Sequence, residues 1–252
     1  MKKTVIYLLI ALPLMLAASC LTTSCKLDLN MNNGTRIEPS TNIVKNEYKQ
    51  KAFTKVDIDV VANVKFIQDD TDNYRVKLSC PENYVDLFRF NVEGDELKVD
   101  FSQRNINIDA KNVDITIYGS TLQKLENSGV ASVEVDRLTA DELEVDNSGV
   151  GKIYLSGLKV RKLDADCSGV GGMELSGTAD EAKYECSGVG GIEALDLKAK
   201  KVEAEVSGVG GITCHASEEI EGEVSGVGSL KFAGHPKNRD TRRTGVGKIT
   251  EI

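Results

Sequence analysis

A short phrase recurs through the second half of the chain and leaves few folds open to it. Ser128-Gly129-Val130-Ala131, Ser148-Gly149-Val150-Gly151, Ser168-Gly169-Val170-Gly171, Ser187-Gly188-Val189-Gly190, Ser207-Gly208-Val209-Gly210, Ser225-Gly226-Val227-Gly228 and Thr244-Gly245-Val246-Gly247 follow one another at 20, 20, 19, 20, 18 and 19 residues. A near-constant period of that length belongs to a solenoid, in which each repeat buries its apolar face only by stacking on its neighbours. The glycines at positions 129, 149, 169, 188, 208, 226 and 245 therefore read as structural turns. A phosphate-cradling loop also uses such glycines, but a nucleotide site is needed once and a corner on every coil.

Aligned on the serine, the flanking residues alternate. One residue before it stand Asn127, Asn147, Cys167, Cys186, Val206 and Val224; three before stand Leu125, Val145, Ala165, Tyr184, Ala204 and Gly222. Five residues after it come Val133, Ile153, Met173, Ile192, Ile212, Leu230 and Ile249. The positions two, four and six before it are almost all charged, which is the period-two pattern of strands buried on one face. Each coil is expected to hold two strands and two corners, the second at Ser156-Gly157 or Ser176-Gly177. Small inward residues point to a flat two-sheet cross-section. The expected fold is an all-β, single-stranded parallel β-solenoid, with rungs ~4.8 Å apart.

Such stacking turns columns of the alignment into ladders. Asn127 and Asn147 should share amide hydrogen bonds between rungs. Cys167 and Cys186 fall on adjacent rungs at a separation a disulfide could span, but parallel side chains suit the bridging dihedral poorly, so a buried pair of free thiols is expected. Six residues before the serine the charge alternates through Glu142, Lys162, Glu181, Lys201 and Glu219. Two before it stand Glu126, Asp146, Asp166, Glu185, Glu205 and Glu223, a candidate binding stripe. Stacked like charges repel unless salt, lysines or a cation relieve them. The stripe could hold Ca²⁺ or a basic partner; the preferred reading is a solvated face that hinders edge association.

Function classes narrow on charge and residue supply. Among 252 residues, 39 Asp and Glu outnumber 31 Lys and Arg, giving a net charge of −8 that disfavours a nucleic-acid partner. The only histidines, His215 and His235, leave little material for acid–base chemistry. The mature-body cysteines, Cys80, Cys167, Cys186 and Cys214, show no close ligand spacing, so no metal site is expected. No G-x-S-x-G elbow surrounds the serines. The acidic stripe offers carboxylates for a glycan-cleaving enzyme, but they repeat, whereas a catalytic site stands as an exception to a repeat.

Residues 1–19 combine Lys2 and Lys3, an apolar run and small residues before Cys20, the pattern of a bacterial lipoprotein signal. Cys20 is the expected lipid-anchor residue, with Cys25 as second choice. Residues 20–45 read as a flexible tether and 46–252 as the β-helix domain, with irregular first coils over 46–120 and regular repeats over 121–252. The basic stretch from Gly234 to Arg243 breaks the pattern and could cover the last edge or make a contact surface.

The signal, Phe53-Thr54-Lys55-Val56-Asp57-Ile58, the turn Val92-Glu93-Gly94-Asp95-Glu96-Leu97 and the repeated S-G-V-G together resemble the auto-transporter adhesin head domain family common in Bacteroidetes, over about residues 46–252. That resemblance implies a right-handed, pectin-lyase-like β-helix without an established catalytic site, and a role in cell adhesion. The expectation is a non-enzymatic lipoprotein of the outer membrane, without a cofactor, facing either the cell exterior or the periplasm. Its partners would be the membrane through its lipid and a protein or glycan of a host or cell surface, with self-association between rods a further expectation. A periplasmic scaffold or sensor is the alternative.

Overall fold

The structure is a computed structural model that describes residues 35–252, of which Arg36–Ile252 form one compact unit. Cys20 and Cys25 lie outside the described residues. Strands Val150–Cys167, Val170–Cys186, Val189–Val206 and Val209–Val224 each follow almost a whole coil and pair in parallel with the next. The register keeps the sequence columns: Ile153 lies beside Met173, Met173 beside Ile192, Ile192 beside Ile212 and Ile212 beside Leu230. All five are buried, and a fully buried aliphatic side chain of this size stabilises by about 1.5–3 kcal/mol before entropy is counted. The fold is the expected β-solenoid, with about six turns.

The cross-section differs from expectation. Alternation along a coil skips at the S-G-V corner, at the next corner (Ser156-Gly157, Leu195-Asp196) and again at Arg161-Lys162, Asp180-Glu181 and Lys200-Lys201, where two successive side chains are exposed. The S-G-V corner keeps the inward phase, with Cys167 before it and Met173 after it both buried, whereas each of the other two skips reverses it; the chain therefore turns three times per coil and encloses its core with three faces rather than two sheets. The middle face is short, carrying Leu158 and Val160 or Leu197 and Ala199 inward. Its third corner has no glycine to mark it.

Before the repeats, chain order and stacking order part. Lys55–Asp59 and Val61–Gln68 form a rung directly beneath Lys124–Asn127 and Val130–Asp136. Glu96–Phe101 and Asp114–Gly119 form the rung beneath that, so residues 55–68 are sandwiched between coils that follow them in sequence. The outermost layer is antiparallel. Phe88–Glu93 folds onto Glu96–Phe101, while Arg75–Pro81 joins Asp114–Gly119 to Ile43–Lys49. The segment read above as the end of the tether also carries specific bonds: Tyr84 Oη donates to the Ile37 carbonyl at 2.7 Å, and Asn83 Nδ2 to the Glu38 carbonyl at 2.8 Å.

At the opposite end Asn238–Arg243 stacks on Glu219–Val224 and Lys248–Glu251 on Ser229–Phe232. Arg239, Thr241 and Arg243 occupy the columns that hold Ile220, Gly222 and Val224 one rung below. All three are exposed, and Arg239 is tied to Glu251 at 2.7 Å. Charge and hydroxyl at inward positions end the apolar stack and blunt the terminal edge. The basic stretch is thus part of the cap itself.

Candidate interaction site

The S-G-V corners superimpose rung upon rung. Val130, Val150, Val170, Val189, Val209, Val227 and Val246 form a ladder whose members are between 48% and 84% exposed, with half-buried Val61 beneath Val130. Backbone bonds running along the stack hold the corner: Val150 N donates to the Gly129 carbonyl at 2.8 Å, Val170 N to Gly149 at 3.0 Å and Val189 N to Gly169 at 3.0 Å. The intervening glycine is required by close approach, since a methyl on Gly149 would run into the Gly129 carbonyl and one on Gly169 into that of Gly149. Bare backbone thus separates a row of exposed serines from a row of exposed valines.

In the rung beneath Ser128-Gly129-Val130 the equivalent residues are Asp59, Val60 and Val61, and Asp100 lies below Asp59. The serine row therefore runs out into two carboxylates. There the segment Phe101–Ile106 rises beside the corners as an end wall, and with Arg89 it closes one end of a groove of about 1060 Å³. Its floor reaches from Val61 to Val189. Arg89 Nε donates to Asp100 Oδ1 at 2.8 Å, whereas Asp59 and Arg104 have no ion-pair partner among the described residues. Formal charge in the lining is balanced between Arg89 and Arg104 on one side and Asp59 and Asp100 on the other.

Parity could have revealed the ladder. Valine two residues after the serine has the same even offset as the charged, outward columns, so its repetition marks an exposed apolar row. Asp59 is not marked in the sequence because Asp59-Val60-Val61 lacks the glycine that identifies the corners stacked above it.

The acidic column lies on the adjoining face in the expected register, with Asp57 extending it beneath Glu126. It is partly neutralised. Lys124 Nζ reaches Glu144 at 2.8 Å, Asp146 at 2.9 Å and Glu126 at 3.6 Å, and its bonds to Glu144 and Asp146 raise its pKa. Lys183 pairs with Glu185, and Arg242 closes the column on Glu223 at 2.9 Å. Burial and neighbouring carboxylates push Asp57 and Asp166 above the usual range. Among the described residues no three His, Cys, Asp or Glu side chains gather where a metal ion could sit, so the column offers separate carboxylates rather than a Ca²⁺ cage.

Other expected ladders take their places. Glu142, Lys162, Glu181, Lys201 and Glu219 stack with alternating sign. Cys167 and Cys186 are neighbours in register, and all four described cysteines are free and buried. Burial pushes the Cys167 thiol up to about 11 and Cys214 to about 12, far from the reactive thiolate range. His215 is half-buried at a corner, and burial with nearby Lys198 lowers its pKa.

No curated protein matches the chain. Among solved structures, one described as a putative adhesin from Bacteroides fragilis is 34% identical, covers 86% of this chain and 100% of its own, and superimposes with a TM-score of 0.81. A lipid-binding protein, so described with the same qualifier, from Parabacteroides distasonis shares 22% identity over 86% of this chain and 100% of its own, with a TM-score of 0.67. A further putative adhesin, from Parabacteroides merdae, shares 19% identity over 86% and 99%, also at 0.67; these last two show likeness of fold. The family model described as "Putative auto-transporter adhesin, head GIN domain" matches residues 52–236, which takes in the antiparallel cap apart from its strand Ile43–Lys49, the out-of-order rung and six of the seven corners, and the chain belongs to that family.

Proposed function

We propose that this protein is a non-enzymatic adhesin of the bacterial outer membrane, tethered by lipid on Cys20 and presenting its solenoid to a protein or glycan on another surface. Family membership supports the adhesive role. The observation that carries the reading is the exposed valine ladder, which repeats over seven corners although folding does not require its side chains to be apolar. An exposed apolar row of that extent, flanked by polar groups, is the mark of an interaction surface. Repetition also argues against catalysis, because an active site needs singular groups converging on one point. The acidic face makes nucleic acid a poor partner.

The test is location. Antibody labelling and protease shaving of intact cells, against lysed controls, should find the solenoid accessible before lysis. Protection until lysis would replace the adhesin with a periplasmic scaffold or sensor. Metabolic labelling with a palmitate analogue should mark the wild type and fail in Cys20→Ala; loss only in Cys25→Ala would move the anchor.

A further inference from the structure

The corner groove has more structure than a generic sticky edge. Along one side run the hydroxyls of Ser128, Ser148, Ser168 and Ser187; along the other run the methyls of Val130, Val150, Val170 and Val189. Both rows keep the rung period, so the four levels span ~14 Å. At the closed end Asp59, Gln103, Arg104 and Asn105 bring acceptors and donors to one place beside half-buried Phe101, the only aromatic in the lining.

An occupant must suit all of these. Ser128 Oγ donates to the Ile58 carbonyl at 3.3 Å and Ser168 bonds Asp166, but a fatty acyl chain would cover the valines while giving the remaining hydroxyl capacity of the row no partner, which costs about 1–3 kcal/mol for each polar group buried unpaired. A polyanion would run beside the carboxylates of Asp57 through Glu223 and meet an end wall with no excess of positive charge. A second copy facing this one with antiparallel axis sets acidic column against acidic column, and with parallel axis sets the two Phe101–Ile106 walls against each other. A linear sugar polymer has what is needed: hydroxyls along the ring edges, C–H on the ring faces, a regular repeat and no charge. Its terminal ring can stack on Phe101 and engage both Asp59, as acceptor, and Arg104, as donor.

We propose that the groove between the valine ladder and the Phe101–Ile106 wall binds an uncharged linear glycan, with Asp59 and Arg104 holding the terminal sugar. This assignment rests on the adhesin reading and names its ligand class. The experiment titrates the folded protein with uncharged linear oligosaccharides of several linkages, with their carboxylated and sulfated counterparts, with phosphatidylethanolamine/phosphatidylglycerol vesicles and with an immobilised peptide library. Val150→Thr/Val170→Thr keeps side-chain shape and removes two methyls, Arg104→Ala removes the end-wall donor, and Lys200→Ala, on a different corner, is the control. All should keep the wild-type thermal midpoint. Binding of an uncharged glycan that weakens about tenfold in the ladder and Arg104 variants, but not in Lys200→Ala, supports the assignment. Binding only of anionic glycans, vesicles or peptides overturns it, as does glycan binding indifferent to these substitutions. Attachment of purified protein to whole cells is measured alongside. If wild type attaches and the groove variants attach equally well, the site is wrong while the adhesin reading stands; if wild type attaches to no cell and binds no ligand, both fall.

Discussion

Asn127 Nδ2 donates to Asn147 Oδ1 at 2.9 Å, between two rungs and wholly out of solvent. Asn147 Nδ2 in turn reaches the carbonyls of Gly151 at 3.2 Å and Gly172 at 3.4 Å, while Asn127 Oδ1 has no partner. The ladder is therefore bonded upward and incomplete at its lower end, where the column passes to Ile58. Asn147→Val should cost about 2–3 kcal/mol, because it strands the Asn127 amide in an apolar core. The double variant Asn127→Val/Asn147→Val should recover most of that loss, since the same column already accepts Val206 and Val224. Urea unfolding of both variants measures this; a double variant less stable than the single one would mean that Asn127, without its partner, still stabilises the fold through a bond other than the one to Asn147.

Glycines differ in what they are needed for. Gly190 has φ +153 and a methyl there would collide with the Gly171 carbonyl, part of the backbone one rung below. Gly94, in the cap hairpin, has φ +65 and nothing within 4 Å of the position a Cβ would take. Gly94→Ala should therefore cost only the left-handed conformation, about 1–2 kcal/mol. Gly190→Ala must also push two rungs apart and should cost at least twice as much. Equal unfolding midpoints for the two variants would contradict the register of the stacked corners.

The same contrast explains how far the sequence could be read. Inward columns such as Val145–Ala165–Tyr184–Ala204 were legible because strand alternation and a constant period each specify them, and their register follows from the corners. The third corner was not legible: Arg161-Lys162 and Lys200-Lys201 look like two more members of a charged outward face until the inward phase is followed across them. Nor was the rung at residues 55–68, whose place between later coils depends on pairing over long sequence separation. The acidic column is plain in the sequence and the valine ladder is not, because charge announces exposure whereas valine at a tight corner suggests burial until its parity is counted.

Tyr184 carries its hydroxyl into the core, where Oη has no hydrogen-bond partner and burial drives its pKa upward. Its neighbours in the column are Ala165 and Ala204, so the ring fills space left by small residues while the oxygen contributes only a desolvation cost. Tyr184→Phe should raise stability by about 1 kcal/mol, and Tyr184→Ala should lower it by about 3–5 kcal/mol through the cavity left behind. Thermal unfolding of the pair separates ring from hydroxyl. A Phe variant less stable than wild type would mean that a buried water or the Cys214 sulfur accepts from the phenol.

The buried thiols give the fold an alkaline limit. Burial pushes Cys80 and Cys167 up to about 11 and Cys214 to about 12, from an ordinary value of 9.0. Once unfolded, the same thiols ionise near pH 9, so above that pH the unfolded chain holds fewer protons than the folded one. Stability is then complete below about pH 9 and falls as pH rises toward 11, by up to about 1.4 kcal/mol per thiol per pH unit. Urea midpoints measured from pH 8 to pH 11 should decline over the upper part of this range, and the decline should be shallower in Cys167→Val/Cys186→Val, which gives the column the residue it carries at Val206 and Val224. In the native protein at pH 8 a thiol reagent should modify none of the four described cysteines, and in denaturant all four. Rapid native labelling, or an identical pH profile for the valine variant, would mean that these thiols are not held protonated in the core.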